Sequence, residues 1–495
     1  MENKEKSRYE KIIDIATKRG IIYPSAEIYG SKAGFWTYGS LGSKIKNKWT
    51  DSWKSFFLSL NNNFYEIDDC NILPKKVFES SGHLKNFTDP LTECEKCNFR
   101  FRADQLLEDE LKIDVAGLKE DKLTKLIKDN KLACPKCKGK LMDVRFFNMM
   151  FDLKVGATGE EVMYLRPESA QSPYLAFRRE FEATRRKLPL GLAVIGRVFR
   201  NEISPRQGFF RLREFIQAEL QIFFDPEKIN QHENWKEVEN YKLVIFSDKK
   251  LKKLTAKELN EKLKVPKFYV YHMVKVQQFY LETLQYSEEI FRFRELDVDE
   301  RAFYNKIHFD IELNLETLGG FKEVGGVHYR TDHDLGGHQQ GSGTKLEVTI
   351  DEDGKVKKFV PHVLELSFGL DRNILALLDS FYKEEKERTL FTFPQSLSPI
   401  DVAVFPLVNK DKIPEVAEKV FSDLSKKGFT VFYDDSGSIG KRYRRQDEIG
   451  TKFCLTIDFD SLKQNDLTVR DRDSMEQIRV KIKDLPEHLK KINKN

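Results

Sequence analysis

Apolar positions recur at helical spacing in residues 8–19 and again in 44–57, the period of helices that bury one face against a core. Between them, residues 23–42 are rich in glycine and aromatic side chains and read as loop and strand. The period drops to two in residues 193–199 and 219–224. Both read as β-strands, and the turn residues of 203–208 between them predict a hairpin. From about residue 225 to 300 the chain becomes Lys-, Glu- and Leu-rich, and 249–259 has helical spacing, which predicts a helical insertion. Its cations are interleaved with Glu, which favours a solvated helix face over a nucleic-acid contact. Strands resume near Ile307 and end in a helix that starts around Gly369. A Pro- and Ser-containing break at 392–399 precedes strands at 402–406 and 429–433, which with the helical patterns between them predict a small α/β domain.

Composition adds limits to this pattern. The chain has 495 residues, 40% hydrophobic and 33% charged, enough for about two or three globular domains with their own cores. Residues 1–6 lead into a charged helical pattern without the apolar stretch of a signal peptide and no apolar run reaches the about eighteen residues of a membrane span, so a cytoplasmic protein without membrane association is expected. A net charge of +5 is small for this length. Only local basic clusters bear on nucleic-acid binding.

The cysteines are grouped. Cys94, Cys97, Cys134 and Cys137 form two CxxC knuckles, whereas Cys70 and Cys454 stand alone in apolar surroundings and read as core thiols. Four thiolates in a reducing compartment predict one structural Zn²⁺ per chain, with no open position for catalysis. The gap between the knuckles is long for a zinc ribbon, but 119–127 carries a helical pattern that accounts for it.

Candidate chemistry concentrates on the hairpin. Phe199-Arg200-Asn201-Glu202 and Phe210-Arg211-Leu212-Arg213-Glu214-Phe215 place arginines, whose planar forks suit phosphate oxygens, beside an aromatic ring able to stack on a purine. Taken by itself this is a weak pattern, because Arg and Glu alternate with apolar residues on many half-exposed strands. A second arginine strengthens it: in Gly369-Leu370-Asp371-Arg372, Arg372 opens a helix next to a glycine that lets a ligand approach the backbone.

Together these segments resemble motifs 2 and 3 of the class II aminoacyl-tRNA synthetases, and within them the homodimeric glycyl type. Supporting the resemblance are Glu27-Ile28-Tyr29-Gly30, Ser81-Gly82-His83-Leu84, Phe87-Thr88-Asp89-Pro90, Arg102-Ala103-Asp104, Tyr164-Leu165-Arg166-Pro167-Glu168-Ser169-Ala170-Gln171 and the long run 437–451. The likeness covers nearly the whole chain except about 225–300. It implies an α+β fold: an antiparallel sheet of about six or seven strands flanked by helices, a zinc-ribbon-like insertion, a helical insertion and a C-terminal α/β anticodon-binding domain. The corresponding boundaries are 1–91 and 143–224 and 306–392 for the catalytic core, 92–142 for the zinc insertion, 225–305 for the helical insertion and 393–495 for the anticodon-binding domain.

The resemblance further implies a homodimeric ligase that activates glycine with ATP and Mg²⁺ to glycyl-adenylate and pyrophosphate, then transfers glycyl to the 3′ end of the glycine tRNA. Arg200 and Arg372 would be catalytic. ATP would meet Arg200, Asn201, Glu202, Phe210, Arg211, Leu212, Arg213, Glu214, Phe215, Glu323, Val324, Gly369, Leu370, Asp371 and Arg372. In this scheme Arg200 holds the α-phosphate, Glu202 the adenine amino group and Arg211 with Arg372 the terminal phosphates. Phe215 stacks on the base, and Mg²⁺ lies near Glu323 and Glu365. Glycine would meet Arg102, Glu168, Phe215, Gln217, Glu219, Arg330, Glu365, Ser367 and Gly369, with the three glutamates on its ammonium and Arg330 or Arg102 on its carboxylate. Such clustered acids raise one another's pKa until a cation relieves them. Glu219 as a simple cross-strand partner and Ser367 as a turn residue are the alternatives. Lys441, Arg442, Arg444 and Arg445 interleave with Tyr443 as in RNA-binding surfaces, against the plainer alternative of a solvated face.

Three departures from the family pattern stand out. Ser40 occupies the place of the proline in the first motif, Leu366 that of a proline in the third, and Ser169 and Ser172 replace a Thr and a Gly. They leave every charged group of the scheme in place. An inactive synthetase-like scaffold that binds nucleic acid is the main alternative, and a synthetase for another small amino acid is a third.

Overall fold

A computed structural model describes residues 6–492 apart from 114, 116, 206, 298, 299, 303 and 353. Residues 1–5 and the loop's Arg206, both considered above, lie outside the described residues.

The first helix, α1 (Arg8–Lys18), starts in a capping box in which the Ser7 hydroxyl accepts from the Glu10 N–H and Glu10 reaches back to the Ser7 backbone, satisfying two N–H groups that a helix start leaves bare. The second, α2 (Ser40–Phe57), buries Ile45, Trp49, Trp53 and Phe57 along one stripe. Its start is held by the Gly20 carbonyl, which accepts from the Leu41 N–H at 3.1 Å, and by the Gly39 N–H, which donates to Ile21 O at 2.9 Å. Ser40 is its first residue, a position where proline is well tolerated. These backbone bonds therefore anchor the helix without the family's proline.

The main sheet has nine strands. In chain order they are β1 (Phe64–Glu66), β2 (Leu190–Phe199), β3 (Glu214–Phe224), β4 (Lys242–Ser247), β5 (Lys250–Thr255), β6 (Phe291–Glu295), β7 (Ile307–Leu315), β8 (Gly320–Thr331) and β9 (His362–Gly369). Across the sheet the order is β5-β4-β6-β7-β8-β9-β3-β2-β1. All pairs are antiparallel except β1 with β2 and β4 with β6. On β3, Ala218, Leu220 and Ile222 face the main core with Leu366 and Phe368 of β9, Trp49 and Trp53 of α2, and Ile374 of a further helix. Their polar neighbours Gln217, Glu219, Gln221, Glu365 and Ser367 point to the other face. Period-two alternation thus separates core from site. Two more helices belong to this framework: α3 (Gln171–Ala183), whose Tyr174 and Phe177 pack on Phe223 at the far end, and α5 (Leu370–Ser380), which follows β9 directly. Between them in sequence lies α4 (Lys267–Gln278).

Residues 225–305 are not a helical insertion. They contribute β4, β5 and β6 as well as α4 and a helix at Ala256–Leu263, so the sheet grows beyond the six or seven strands expected. Leu251 and Leu254, three apart, mimic a helical period, but Asp248 and Lys249 both adopt positive φ (50° and 59°) and form a two-residue hairpin turn. The lysines of β5 then charge an exposed sheet edge, which opposes edge-to-edge association.

The knuckle region folds around a small core of its own that includes Phe101, Leu107, Leu123 and Ile127, with helices at Ala103–Leu111 and Glu120–Asp129. Cys70 is exposed and not a core thiol, because the segment after β1 runs over the surface; Cys454 is buried as expected. The C-terminal unit is a five-stranded sheet of order β11-β10-β12-β13-β14, comprising β10 (Val402–Pro406), β11 (Val431–Tyr433), β12 (Phe453–Ile457), β13 (Asp466–Asp471) and β14 (Gln477–Lys481). Helix α6 (Ile413–Lys426) covers one face, and α7 (Ile439–Asp447) covers the other.

A Cβ on Gly42 would lie 1.9 Å from the Ile21 carbonyl oxygen, and backbone cannot yield as a side chain can. Gly42→Ala is expected to cost about 2–3 kcal/mol, read as a lowered denaturation midpoint. An unchanged midpoint would refute this account of how α2 is anchored.

Candidate active site

The polar face of the sheet carries two adjacent rungs of cross-strand neighbours. One runs Asp310–Gly326–Ser367–Glu219 across β7, β8, β9 and β3, and the next runs His308–His328–Glu365–Gln221. The loop before α3 brings Glu168 and Ser169 to the same place, so three glutamates from separate chain segments share one buried pocket.

One guanidinium serves most of this charge. Arg330, 1% exposed, donates to Asp334 at 2.9 and 3.0 Å, to Glu365 at 2.9 Å and to Glu168 at 3.3 Å. Tyr304 stacks on it at 3.9 Å. Gln171 adds donors to Glu168 (2.8 Å) and Asp334 (3.1 Å), and Gln221 donates to Glu365 at 2.7 Å. Burial pushes the Glu168 carboxyl up, but Arg330 and then His83 outweigh it and hold it well below the usual range. Glu365 is likewise pushed up by burial and pulled down by Arg330 and His328, to about 2. Glu219 makes no ion pair among the described residues; the buried Arg166 acts on it only through space and donates instead to the Arg197 carbonyl and the Ser172 hydroxyl. Ser169 and Ser367 donate to its two oxygens at 2.7 and 2.8 Å, while burial, then repulsion from Glu365 and Glu168, pushes it up to about 8. At neutral pH the pocket therefore holds a protonated acid beside ionised ones, and its carboxylates outnumber its one guanidinium.

Next to this pocket lies a cavity of about 110 Å³ lined by Arg200, Glu202, Phe210, Arg211, Leu212, Phe215, Gln217, Glu323, Gly325, Ser367, Gly369, Asp371 and Arg372. The hairpin and the start of α5 meet here because Asp371, buried, accepts from the Tyr38 hydroxyl at 2.6 Å and from the Ile216 N–H at 2.6 Å. Arg200 is positioned by the Pro167 carbonyl (3.0 Å) and lies 5.2 Å over the Phe215 ring and 5.3 Å over Phe87. Arg211 pairs with Glu202 at 2.7 Å, and Arg372 with Glu323 at 3.0 Å above the Phe210 ring. Arginines parked on carboxylates at the mouth of a cavity can exchange them for phosphate oxygens.

Several expected residues stand elsewhere. Arg213 is spent on backbone, donating to the Glu202 and Ala33 carbonyls, and Glu214 pairs with Arg197. Neither lines the cavity, nor do Asn201, Val324 or Leu370, and Asp371 is a strut. Arg102 is bound to Asp89 and Asp104, and Arg330 is fully committed to carboxylates, so neither is free for a substrate carboxylate. Glu365 lies within the acidic pocket, held by Arg330, Gln221 and His328, and does not line the cavity. Sequence reasoning assigned no role to His83, Ser169, Gln171, His328 or Asp334. The first three stood in the quoted segments, whereas His328 and Asp334 carry no local signal: Arg330 lies on β8 and meets Asp334 only where the chain turns into the next helix.

The basic run 441–445 divides in two. Lys441 and Arg444 are exposed and line an open cleft with Arg19, Ser438, Gly440 and the half-buried Arg445. Arg442 is not a surface cation: it is 4% exposed and donates to the carbonyls of Gly437 and Pro406. Arg445 pairs with Asp434 at 2.7 Å, and Tyr443 is packed against Phe405 with its hydroxyl on Thr456, so neither the ring nor Arg442 can reach RNA. The four knuckle thiols converge, with every pair of sulfurs within 4.8 Å and two pairs at 3.4 and 3.7 Å. Tetrahedral zinc–thiolate bonds put sulfurs about 3.8 Å apart, so these residues fit a four-sulfur metal site. Gly139 keeps that space open, since a Cβ there would meet Cys94 Sγ at 3.0 Å and Cys137 Sγ at 3.2 Å.

Known proteins share this architecture. Residues 152–381 match the tRNA synthetase class II core domain (G, H, P, S and T), and residues 401–492 match an anticodon binding domain. The chain is 38% identical to the glycine–tRNA ligase of Thermococcus gammatolerans, with 98% of each chain covered. It is 38% identical to that of Pyrococcus furiosus (98% and 99% covered) and 34% identical to that of Methanococcus vannielii (98% and 99%). Among solved structures, prolyl-tRNA synthetase from Cryptosporidium parvum, complexed with L-proline and AMP, superposes with a TM-score of 0.59 at 13% identity, covering 99% of this chain and 76% of that one. That likeness shows the fold.

The Glu219 carboxyl generates a pH prediction. Its folded value of about 8 lies above the ordinary 4.5, so between these values the folded state holds a proton that the unfolded state has lost. The stability it confers is full below about pH 4.5 and is lost as pH rises towards 8, by at most about 5 kcal/mol. Glu219→Gln should flatten that slope in denaturant titrations of the ligand-free protein. Parallel slopes for the two proteins would show that Glu219 is ionised throughout.

Proposed function

This chain belongs to the glycine–tRNA ligases, class II aminoacyl-tRNA synthetases, and on that premise we propose how its residues divide the work between glycine, ATP and tRNA. The enzyme joins glycine to tRNA in two steps. A glycine carboxylate oxygen attacks the α-phosphorus of ATP, the bond to the β-phosphate oxygen breaks, and pyrophosphate leaves with the electron pair. The terminal ribose hydroxyl of the tRNA then attacks the glycyl carbonyl, loses its proton and displaces AMP. Neither step requires an enzyme nucleophile, so positioning and charge neutralisation carry the catalysis.

The observation that carries our assignment is that Glu219 makes no ion pair, in a pocket whose carboxylates outnumber the one guanidinium bound to them, so that a further positive charge is called for. A glycine ammonium supplies it. As it enters, Glu219 gives up its proton and all three glutamates are ionised around the cation, with Arg330 as their internal counter-ion. Gln217 and Ser367 lie where this pocket opens into the cavity. There Phe215 stacks on adenine, the buried Glu202 carboxylate receives its amino group, Arg200 meets the α-phosphate, and Arg211 and Arg372 leave their carboxylates for the terminal phosphates. Glu323, released by Arg372, would be the residue to hold the magnesium ion that accompanies ATP, and that ion would supply charge neutralisation at the phosphates. Since all three phosphate arginines line one cavity, the inactive-scaffold alternative is not favoured.

For tRNA we assign Lys441 and Arg444, the exposed members of the basic run, as backbone contacts of the anticodon-binding domain. We further propose zinc as the metal of the four thiols, where it would fix the knuckle module, and a homodimer. The apolar side chains of Ile28 and Tyr29, 85% and 86% exposed on a short turn, suit a surface covered by a second copy. None of the described helices is long and apolar enough to cross a membrane, which accords with work in the cytoplasm.

Exchange of labelled pyrophosphate into ATP tests the amino-acid assignment. Exchange should require glycine, fail with alanine and serine, and drop at least a hundredfold in kcat/KM in Glu219→Gln and Arg372→Ala. Exchange driven equally by alanine would end the assignment. The paired change Lys441→Ala with Arg444→Ala should leave exchange untouched and raise the KM for tRNA about tenfold at low salt, with a shallower salt dependence; an unchanged KM would remove these residues from the tRNA interface.

A further inference from the structure

We infer that His328, backed by His308 and Asn305, is a positioning residue of the glycine pocket: its imidazole pins the Glu365 carboxylate in the orientation that receives the substrate ammonium. The inference rests on the glycine assignment of the three glutamates and adds to it a residue pair to which that assignment gives no role.

The geometry is a chain across neighbouring strands. Asn305 Nδ2 lies 3.3 Å from His308 Nδ1, His308 Nε2 lies 3.0 Å from His328 Nε2 and 2.9 Å from Asp310 Oδ1, and His328 Nδ1 is hydrogen-bonded to Glu365 Oε1. With both rings neutral, one proton arrangement satisfies every contact. The Asn305 amide donates to His308 Nδ1. His308 Nε2–H is shared between His328 Nε2 and Asp310, and His328 Nδ1–H donates to Glu365. Burial, followed by the neighbouring His308, lowers the His328 pKa, which agrees with a neutral ring.

Glu365 needs this donor. Arg330 divides its N–H groups among Glu168, Asp334 and Glu365, and at Glu365 it and Gln221 both occupy Oε2. Among the described residues, His328 alone donates to Oε1. Without it a buried carboxylate oxygen is left unpaired and the group is free to turn about its terminal bond. The strand beneath is built for the ring as well. A Cβ on Gly326 would sit 2.3 Å from His328 Nε2, so the bare glycine on the neighbouring rung is what lets the imidazole lie flat along β8 between Asp310 and Glu365.

Two variants of similar size separate positioning from packing. His328→Asn keeps an N–H donor towards Glu365, and His328→Leu removes it. In glycine-dependent pyrophosphate exchange, the Leu variant should raise the KM for glycine about tenfold with the KM for ATP unchanged, while the Asn variant stays within about threefold of the parent. Equal losses in both, or a KM for ATP that moves with that for glycine, would overturn the inference. If the Leu variant fails to fold, His308→Ala takes its place: it removes the partner behind His328 and should raise the KM for glycine in the same direction, and an unchanged KM would again overturn the inference. Glu219→Gln in the same assay reads the underlying assignment on its own, since a normal KM for glycine there refutes the pocket and not merely the role of His328.

Discussion

A single buried guanidinium sets the terms for the rest of the site. Arg330 brings one positive charge to Glu168, Asp334 and Glu365, and removing it would strand three carboxylates in a low-dielectric interior, a loss on the order of several kcal/mol. Because it is shared, every other polar group nearby has to supply donors: Gln171, Gln221, His83 and His328 each do so. Glu219 is left out of that arrangement and receives only hydroxyls. The carboxylates of the site thus outnumber its one shared guanidinium by construction, and on the proposed reading the substrate ammonium offsets that excess.

That pocket depends in turn on alternation in β3 and β9 and, past a bulge at Val324, along Gly326–Arg330 of β8. Each strand turns apolar residues to the aromatic core under α2 and polar ones to the site, and a slip of one residue would exchange the two sets. Asp371 protects the register from the other side. By accepting from Tyr38 and from the Ile216 backbone, it ties the strand before α2, the hairpin and α5 together, so that Arg372 and Arg211 reach the same cavity although they come from segments far apart in sequence.

How much of this the sequence disclosed follows the range of the interactions. Period-two runs marked β2 and β3, the CxxC spacing marked the metal module, and the arginines of the hairpin and of α5 stood out by local chemistry. What escaped was set by partners distant in sequence. Arg330 and Arg102 look like free cations until their carboxylates are found beside them. Arg442 sits in a basic run yet turns inward, because α7 packs that side against the sheet and the Pro406 carbonyl needs a donor. The strands of 242–255 escaped because Leu251 and Leu254 imitate a helical period, while the turn that reveals them, Asp248–Lys249, carries no glycine.

The C-terminal unit illustrates why a recognition domain should be docked firmly and not tethered. Asp447, at the end of α7, accepts from Arg388 of the catalytic unit and from Arg470 of β13, and Arg472 donates to the Phe393 and Gly450 carbonyls. These groups are buried, so breaking them exposes or strands several charges at once and the interface behaves as a single cooperative contact. Helix α7 presents Lys441 and Arg444 to solvent on one side while its inward residues form this joint. On the proposed reading, an RNA held by its outer face would therefore be placed at a set distance from Arg200 and Glu219, so that geometry alone could bring its terminal hydroxyl to the adenylate without a hinge that must first be ordered.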